Sequence, residues 1–410
     1  MKMKKIIFVA LVIFAALSFA GCKAQETCTH LIYGRKSLQP KYVRIIDSLV
    51  NDAISRRAMP GCRIIAVKNQ YVIFNKSYGY LNYDSIQPVN DSTMYDVASV
   101  TKMAASALLL MKLYEDRKID LDAKLCEYFP GFEDNGATLR DALAHQAGLK
   151  IGIDIKKLEP ELYKSCVSDS NYNASIARRK ILEDVKAQPM KKPGEYLYSD
   201  LGFYFYPELA SRFYGIGFTN FLNEWFYYPL GIKILYNPLD KYPPDNIAPT
   251  EVDTVWRRRT VQGTVHDEIA AMMGGVSGHA GLFATANDLA ILMQMLLSNG
   301  EYGGIHFLKP ETVRLFTSQQ FENNRRGLVF DKPVIDTTLN GTPSKRASRA
   351  SFGHTGFTGP FVWADPQNKL ILVFLTNSIY PNRSMLITKL DLRTKIHDVF
   401  YAKDLVGRKD

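Results

Sequence analysis

A serine and a lysine three residues apart, in Ser99-Val100-Thr101-Lys102, form the one Ser-x-x-Lys pattern of the chain. Apolar residues follow at helical spacing through Tyr114, so we expect the pattern in the first turn of a helix. Residues i and i+3 share one face of a helix, which places Lys102 against the Ser99 hydroxyl. A serine hydroxyl needs a neighbouring base to become a nucleophile. The pair therefore suits covalent catalysis, although so short a pattern also arises by chance.

Two later motifs could complete such a site. Tyr198-Ser199-Asp200 follows Pro193-Gly194, and His354-Thr355-Gly356 leads into a predicted strand. A tyrosine followed two residues later by Asn also occurs at Tyr80 and Tyr380, so this pattern alone is not specific. A Thr-Gly at a strand start lets backbone N–H groups approach an acyl carbon closely, because glycine has no Cβ. Each motif alone is more often structural, but the three in this order indicate a catalytic site.

Several other chemistries are excluded by missing patterns. The chain has no Gly-Lys dipeptide for a phosphate-binding loop and no His-Glu pair to begin a zinc-protease helix. Ser277 resembles the nucleophile of an α/β-hydrolase, but His279 stands where that motif needs glycine. The spacing of His145, His266 and His279 does not suit a metal site, so we expect structural histidines. We therefore predict neither a metal nor a cofactor.

Length and composition describe a globular protein with more than one core. The 410 residues are 46% hydrophobic and 22% charged, which excludes disordered, collagen-like and coiled-coil classes. Chains longer than about 250–300 residues usually divide into lobes. The formal net charge of +10 could favour anionic surfaces, but no nucleic-acid-binding motif accompanies it. We expect a small-molecule or peptide substrate and no nucleic acid.

Hydrophobic periodicity predicts where the elements that carry the motifs lie. Residues 41–58 show helical spacing, and apolar runs within 64–74 and within 361–375 indicate two β-hairpins. A closing helix is predicted over residues 385–400, and residues 99–330 show mostly helical patterns. This order predicts an α+β fold of the α/β-sandwich kind. One antiparallel sheet is built from both chain ends, flanked by helices, with a helical lobe inserted.

The first residues resemble an export signal. Residues 1–22 have a lysine-rich start, an apolar run too short to span a bilayer, and the ending Phe19-Ala20-Gly21-Cys22. That ending resembles the lipobox of bacterial lipoproteins, in which the cysteine is lipidated. Ordinary cleavage near Ala20 is the alternative. We expect an exported bacterial protein, a periplasmic or outer-membrane lipoprotein that meets the membrane only through a lipid on Cys22.

The predicted export signal sets where the next segments begin and which redox environment the cysteines would meet. Residues 23–40 are predicted to form a tether, residues 41–400 the folded domain and residues 401–410 a tail. In an oxidising compartment the four remaining cysteines could form disulfides in three pairings, or all could be free thiols. These cysteines are Cys28, Cys62, Cys126 and Cys166.

In combination, the motifs resemble those of the β-lactamase-related, penicillin-recognising serine hydrolases, and most of all their class C-like branch. The resemblance covers nearly the whole body, from about Lys41 to Phe400. Its last two segments look like those of a subgroup of esterases, D-alanyl-D-alanine carboxypeptidases and hydrolase modules fused to N-acetylglucosaminidases. The resemblance implies the β-lactamase/transpeptidase-like fold. The segments that carry it are Ala98–Lys102, Leu139–Leu149, Pro193-Gly194 with Tyr198–Asp200, Gly278–Phe283 and Gly353–Gly359.

The resemblance implies a role for each catalytic position. Ser99 would be the acylated nucleophile and Lys102 its activating partner. Tyr198 would be the general base in acylation and would position the hydrolytic water in deacylation. The backbone N–H groups of Ser99 and Phe357 would form the oxyanion hole.

The substrate-binding positions show two departures from the family pattern. By resemblance, Asp200, His354, Thr355 and Gly356 would contact the substrate. Asp200 stands where the family usually has Asn, and an ionised carboxylate cannot donate to a substrate carbonyl. It would also hold Lys102 protonated. His354 replaces the lysine of true β-lactamases, so we expect positive charge there only below about pH 6.5.

Both departures favour a peptidase or esterase over an efficient β-lactamase. We expect hydrolysis of a D-amino-acid peptide, amide or ester through an acyl-serine, with peptidoglycan fragments among the expected substrates. A β-lactamase is the alternative within the enzyme class. A non-catalytic surface lipoprotein that binds muropeptides or antibiotics is the alternative outside it.

Overall fold

The computed structural model describes residues 30–334 and 343–408. The predicted export signal, Cys22 and Cys28 lie outside these ranges. The strands are β1 (Lys36–Leu38), β2 (Gly61–Lys68), β3 (Tyr71–Gly79), β4 (Tyr95–Asp96), β5 (Leu235–Tyr236), β6 (Glu251–Asp253), β7 (Arg259–Val261), β8 (Leu282–Ala284), β9 (Glu301–Tyr302), β10 (Ile305–His306), β11 (Phe352–Thr355), β12 (Phe361–Asp365), β13 (Leu370–Thr376) and β14 (Val406–Arg408).

Most of the helices lie between β3 and β11. The α-helices are α1 (Pro40–Ser55), α2 (Ala107–Glu115), α3 (Leu125–Tyr128), α4 (Leu139–Leu143), α5 (Ile155–Leu158), α6 (Pro160–Ser168), α7 (Ala174–Lys186), α8 (Tyr206–Tyr214), α9 (Phe218–Leu222), α10 (Tyr228–Leu230), α11 (Glu268–Met272), α12 (Ala286–Leu297), α13 (Pro310–Thr317), α14 (Leu386–Lys389) and α15 (Leu392–Val399). Further helical turns are π-helical at Lys102–Ser106 and Asn223–Tyr227, and 3₁₀ at Leu201–Tyr204, Pro238–Asp240 and Pro244–Asn246.

The central sheet joins the two ends of the folded body. Its order is β11-β12-β13-β2-β3, and every neighbouring pair is antiparallel. Val373 of β13 lies opposite both Val362 of β12 and Ile65 of β2, so the late hairpin pairs directly with the early one. The predicted antiparallel sheet from both chain ends is confirmed.

Both faces of this sheet are covered, because successive side chains of a strand point to opposite faces. On β2, Ile65 and Val67 pack into the large core under the helical lobe. The alternate residues Ile64 and Ala66 pack with α1 and α15 in a second core. Burial on both sides explains why these strands read as continuous apolar runs in the sequence.

Besides the central sheet, the fold contains a second, smaller sheet, whereas helix α12 packs directly on β2, β12 and β13 of the central sheet. The order of the smaller sheet is β4-β8-β5, with β8 in the middle. Tyr95 of β4 pairs with Ala284 of β8, and Leu235 of β5 pairs with Phe283. Since β4 ends three residues before Ser99, this sheet fixes the start of the Ser-x-x-Lys segment at the boundary between the two lobes.

The chain ends differ from the predicted tether and tail. Residues 36–38 form β1, which pairs with β14 at residues 406–408, so these parts of the predicted segments 23–40 and 401–410 belong to the folded body. Strands of three residues carry too little periodicity to be recognised in a sequence. The predicted closing helix over 385–400 is divided into α14 and α15, because Asp391 between them adopts a left-handed φ of 50°.

The described cysteines and helices bear on two further expectations. Cys62, Cys126 and Cys166 are free thiols, and Cys62 is fully buried. The three-way pairing scheme therefore does not apply to these three residues. None of the helices in the described ranges has the length and apolarity that crossing a bilayer requires.

Candidate active site

Ser99 lies in a strained turn between β4 and the helix that follows. Ala98 has a φ of 46°, in the left-handed region that residues with a Cβ seldom adopt. The buried carboxylate of Asp96 stabilises this turn. It accepts hydrogen bonds from the backbone N–H of Ala98 at 2.8 Å and from that of His266 at 2.7 Å. The turn therefore holds the Ser99 hydroxyl at one fixed place at the lobe boundary.

The helix after Ser99 is not the regular helix that the sequence predicts. Residues Lys102–Ser106 form a π-helical turn before α2 begins. The Ser106 hydroxyl donates to the Gly278 carbonyl at 2.7 Å, so a buried side chain anchors the wide turn to the opposite segment. Such turns widen a helix locally and are frequent at functional sites.

Lys102 lies at the centre of the predicted motifs and is completely buried. Its Nζ donates to Ser99 Oγ at 2.9 Å and to the His279 carbonyl at 3.2 Å. Asp200 Oδ1 lies 2.7 Å from the same Nζ. The structure thus brings two sequence-predicted residues, Ser99 and Asp200, within hydrogen-bond distance of the Lys102 ammonium group.

This arrangement determines the charge of the lysine. Burial opposes the ammonium form, but the Asp200 carboxylate and the Tyr198 hydroxyl raise the pKa of Lys102 above its ordinary value. Lys102 is therefore protonated at neutral pH. It acts on Ser99 as a hydrogen-bond donor and as a positive charge rather than as a free base in the resting state.

Tyr198 is the second group on the nucleophile. Its hydroxyl donates to Ser99 Oγ at 3.1 Å. The ring of His145 stacks on the Tyr198 ring at a centroid distance of 4.5 Å, and His145 Nδ1 accepts the Ser199 N–H at 3.1 Å. His145 therefore contacts the tyrosine ring and holds the adjacent backbone. No pattern in the sequence indicates this contact, because His145 and Tyr198 lie far apart in the chain.

Burial raises the pKa of Tyr198, although the nearby Lys102 ammonium opposes the shift. The phenol is therefore neutral at pH 7. It can take up a proton from Ser99 only if it gives up its own proton at the same time.

The third motif lies directly across from the strained turn. A Cβ built on Gly356 would lie only 2.5 Å from the Val97 carbonyl oxygen, so only glycine fits there without displacing the backbone. The Thr358 hydroxyl donates to the Asp96 carbonyl at 2.7 Å. These contacts hold the end of β11 beside the segment that presents Ser99.

Two backbone N–H groups at this junction have no acceptor among the described residues. Neither Ser99 nor Phe357 donates a backbone hydrogen bond within the described ranges. The side chain of Phe357 is half exposed and stacks on the His266 ring at 5.7 Å. Free donors beside a nucleophile are what an oxyanion hole requires.

His354 corrects one expectation from the sequence. It is buried, and burial together with the charges of Arg326 and Lys102 lowers the pKa of His354 to about 3. The expected positive charge below about pH 6.5 is therefore wrong, because the imidazole stays neutral throughout the physiological range. Its Nδ1 and the Thr355 carbonyl are 2.7 Å apart, and its buried Nε2 has no partner among the described residues.

The fixed positive charge at this end of the site belongs to Arg326, which the sequence analysis missed. Its guanidinium carbon lies 5.3 Å from the centre of the Tyr198 ring. Its Nη2 donates to the Tyr196 hydroxyl at 3.0 Å, and Asp331 lies 3.6 Å from its Nε. Its buried Nη1 has no partner within the described chain. No local motif marks this arginine, since only tertiary packing brings it to the tyrosine.

Buried polar side chains hold His279, whose backbone carbonyl accepts a hydrogen bond from Lys102. Ser277 Oγ and His279 Nδ1 are 2.8 Å apart, and His279 Nε2 lies 2.9 Å from Asp267 Oδ1. Ser277 is fully buried, so it is out of reach of a substrate. His279 therefore has a structural position, as we expected. In the described ranges no three His, Cys, Asp or Glu side chains group as a metal site would require.

The geometry agrees with the comparison of the whole chain with known families. Residues 46–392 match the family model described as Beta-lactamase. The chain belongs to the Beta-lactamase family. A relative from Escherichia coli (strain K12), named "Putative D-alanyl-D-alanine carboxypeptidase", is 32% identical over 349 residues, which are 78% of each chain. Membership of this family makes the protein a serine hydrolase.

Solved structures show the same fold. A penicillin-binding protein homologue from Caulobacter crescentus aligns with a TM-score of 0.64 and 18% identity, over 88% of this chain and 99% of that one. EstCE1, a hydrolase with promiscuous acyltransferase activity, aligns with a TM-score of 0.66 and 20% identity, over 88% and 98%. The predicted β-lactamase/transpeptidase-like fold is confirmed.

Proposed function

We propose that this hydrolase cleaves D-amino-acid peptides, amides or esters derived from the cell wall, through an acyl intermediate on Ser99. The observation that carries the proposal is the convergence on Ser99 Oγ of Lys102 Nζ at 2.9 Å and the Tyr198 hydroxyl at 3.1 Å. The name of the Escherichia coli relative supports a wall-peptide substrate.

In the proposed acylation, Ser99 Oγ forms a bond to the substrate carbonyl carbon. The Tyr198 oxygen takes up the serine proton and passes its own proton to the leaving nitrogen or oxygen. This relay suits a phenol that is neutral at rest. The Lys102 ammonium stays protonated beside Asp200 and stabilises negative charge on either oxygen during the transfer.

The free N–H groups of Ser99 and Phe357 would stabilise the oxyanion of the tetrahedral intermediate. In deacylation, a water beside Tyr198 would give a proton to the phenol oxygen and attack the acyl carbon. The phenol would pass its own proton to Ser99 Oγ as the bond between Oγ and the acyl carbon breaks. Thr355 and Gly356 would lie along the substrate backbone. A substrate carboxylate would experience the charge of Arg326 rather than that of neutral His354.

β-Lactam hydrolysis is the alternative that the family name favours. Two features weigh against efficient turnover. The Asp200 carboxylate is partly exposed in the site and repels the carboxylate that β-lactams carry, and His354 supplies no positive charge. A non-catalytic receptor for muropeptides or antibiotics is less well supported, since binding alone requires neither Lys102 nor Tyr198 on the serine.

We also propose that the protein is exported and anchored through Cys22. The lipobox-like ending of residues 1–22 supports this location. A wall-peptide substrate, as the relative's name indicates, would be met in the cell envelope.

The test uses covalent labelling and a substrate panel. Wild-type protein and the Ser99→Ala variant are incubated with a fluorophosphonate probe and then with a D-Ala-D-Ala peptide, a muropeptide pool, short acyl esters and nitrocefin. We expect the Ser99→Ala protein to lose labelling and all turnover. The control is Ser277→Ala, since the Ser277 hydroxyl contacts a histidine ring but the residue is fully buried. Labelling that survives in Ser99→Ala, or disappears in folded Ser277→Ala, would contradict the assignment.

A further inference from the structure

A large cavity opens at the other end of β11 from the catalytic residues. It has a volume of about 970 Å³ and lies between the β2–β3 and β12–β13 turns and the C-terminal ends of α12 and α13. Phe352 at the start of β11 lines this cavity, whereas His354 and Thr355 at its end belong to the candidate active site. This volume is within the range of small-molecule sites.

The cavity lining carries excess positive charge. Among the described residues that line it are the cations of Arg314, Lys332, Arg349 and Lys369, against the single carboxylate of Glu301. None of the four cations lies within 4.0 Å of a carboxylate in the described ranges, so no carboxylate there neutralises them directly. Unpaired cations around a concave surface attract an anion.

One lining group lacks the hydrogen bond that its burial calls for. Gln294 on α12 is 3% exposed, and its Nε2 donates to the Ser298 hydroxyl at 2.9 Å. Its Oε1 is buried and accepts no hydrogen bond within the described chain. A buried acceptor without a donor destabilises the protein, so a ligand that supplies a hydroxyl or N–H donor there would be favoured.

Lys332 is the second buried polar residue of the lining that could bind a ligand. It is 5% exposed, and its Nζ donates to the backbone carbonyls of Thr317 at 2.7 Å and Ser351 at 3.0 Å. An ammonium has three donors, and the third meets no acceptor in the described ranges. Burial lowers the pKa of Lys332 to about 8, and a bound anion would hold the ammonium in its charged form.

We propose that this cavity binds a saccharide that carries a carboxylate or a phosphate. The anionic group pairs with the cations at the rim, Arg314 and Arg349, and with the third N–H of Lys332. A sugar hydroxyl donates to Gln294 Oε1. This site is separate from the hydrolytic centre and does not depend on Ser99.

The test is titration calorimetry on the folded protein with four ligands. N-acetylmuramic acid supplies a carboxylated sugar, N-acetylglucosamine 1-phosphate a phosphorylated sugar, N-acetylglucosamine a neutral sugar, and inorganic phosphate an anion without a sugar. We expect at least one of the two anionic sugars to bind at least tenfold more tightly than the neutral sugar and than phosphate. The tighter anionic sugar identifies the acidic group. Equal affinity for the neutral sugar, or for phosphate alone, would overturn the proposal.

Two variants locate the site. The double variant Arg314→Gln/Arg349→Gln should weaken binding of the tighter anionic sugar by about tenfold or more, since it removes two charge-assisted contacts. Arg44→Gln changes an exposed arginine of α1 outside the cavity and should leave the affinity unchanged. Equal affinities of the double variant and the Arg44→Gln control would refute the location.

Activity measurements separate this site from the proposed hydrolysis. We expect Ser99→Ala to bind the anionic sugar with unchanged affinity, and the double variant to hydrolyse an acyl ester at the wild-type rate. Loss of sugar binding in folded Ser99→Ala would show that the sugar occupies the hydrolytic centre and would overturn the second site.

Discussion

Tyr198 is the residue whose surroundings most restrict the proposed chemistry. Its hydroxyl contacts Ser99, His145 covers its ring, and Lys102 and Arg326 lie 5.2 and 5.3 Å from the ring centre. The two cations stabilise negative charge on the phenol oxygen as it forms. We expect Tyr198→Phe to lower turnover by about 10²–10⁴, the usual contribution of a positioned general base.

The measurement is kcat on the preferred ester or peptide, together with the thermal unfolding midpoint. Phe keeps the ring that His145 stacks on, so the midpoint should change little. Tyr80→Phe is the matched control, because Tyr80-Leu81-Asn82 has the same pattern but Tyr80 lies outside the site. If Tyr80→Phe proved the damaging change, the assignment of the middle motif would be wrong.

The Asp200 carboxylate is the negative charge that pairs with the Lys102 ammonium beside Ser99. At about 4 Å and an effective dielectric of 20, one contact between unit charges is worth about 4 kcal/mol, and partial exposure reduces this value. Asp200→Asn removes the negative charge and adds an N–H donor for a substrate carbonyl. We expect acylation by penicillins or nitrocefin to rise about tenfold, while turnover of neutral esters changes less.

The same substitution should change the pH profile and the stability. Asp200 raises the pKa of buried Lys102, so this ion pair stabilises the fold below the ordinary lysine pKa and is lost as pH rises through the raised value. Without the pair, burial lowers the lysine pKa, and the alkaline limit of activity should move to lower pH. Acylation rates are compared at pH 7 on folded, active-site-titrated protein. A fall in β-lactam acylation would show that Asp200 supports the site by holding Lys102 in place.

At the scale of single residues, the sequence predicts the groups that belong to motifs and misses those brought in by packing. Ser99, Lys102 and Tyr198 could be proposed from type and order, and the structure brings them together. Arg326 and the ring of His145 could not, because their contacts with Tyr198 depend on how distant segments pack. The predicted charge of His354 was wrong because a sequence does not reveal how deeply an imidazole is buried.

At the scale of elements, the turn from β4 into the following helix is the feature on which the nucleophile depends. Its backbone is held in the left-handed region at Ala98 by the Asp96 carboxylate and by the end of β11. A left-handed conformation costs an L-residue about 1–2 kcal/mol, and glycine avoids this cost. Glycine instead loses more chain entropy on folding, worth about 0.4–1 kcal/mol.

We therefore expect Ala98→Gly to leave the free energy of unfolding unchanged or to raise it by up to about 1 kcal/mol. Ala53→Gly, in the buried face of α1, should lower it by at least about 1 kcal/mol, since glycine is the poorer helix former. Urea unfolding of both variants measures the difference. Equal destabilisation of the two proteins would show that Ala98 is not strained in solution.

The elements themselves were predicted where the hydrophobic pattern is strong. Continuous apolar runs gave both hairpins of the sheet, because their strands are buried on both faces. The π-helical turn at Lys102–Ser106 was missed, since it depends on the Ser106 contact with Gly278 across the lobe boundary. Strands β1 and β14 were missed for the same reason, because their pairing joins residues far apart in the chain.

At the scale of the molecule, the sheet closes the chain on itself. The early and late hairpins pair through β2 and β13, and β1 pairs with β14 beside them. The helical lobe between these ends supplies Tyr198 and Asp200, and the late part of the sheet lobe supplies the His-Thr-Gly segment. The candidate site therefore forms only when both lobes are folded against each other.

The membrane association of the whole protein should depend on Cys22, which lies outside the described residues. The proposed anchor is a lipid on this cysteine, because the ending Phe19-Ala20-Gly21-Cys22 resembles a lipobox. Acyl chains contribute about 0.8 kcal/mol per buried CH₂, and the serine variant would have none. We expect Cys22→Ser to move the protein from the membrane fraction to the soluble envelope fraction.

Cys126→Ser, which changes a partly buried free thiol, should leave the protein in the membrane fraction and serves as the control. Fractions are washed at high salt, because the net charge of +10 could hold the protein to anionic lipid without an anchor. Equal membrane retention of both variants after that wash would reject lipidation as the anchor.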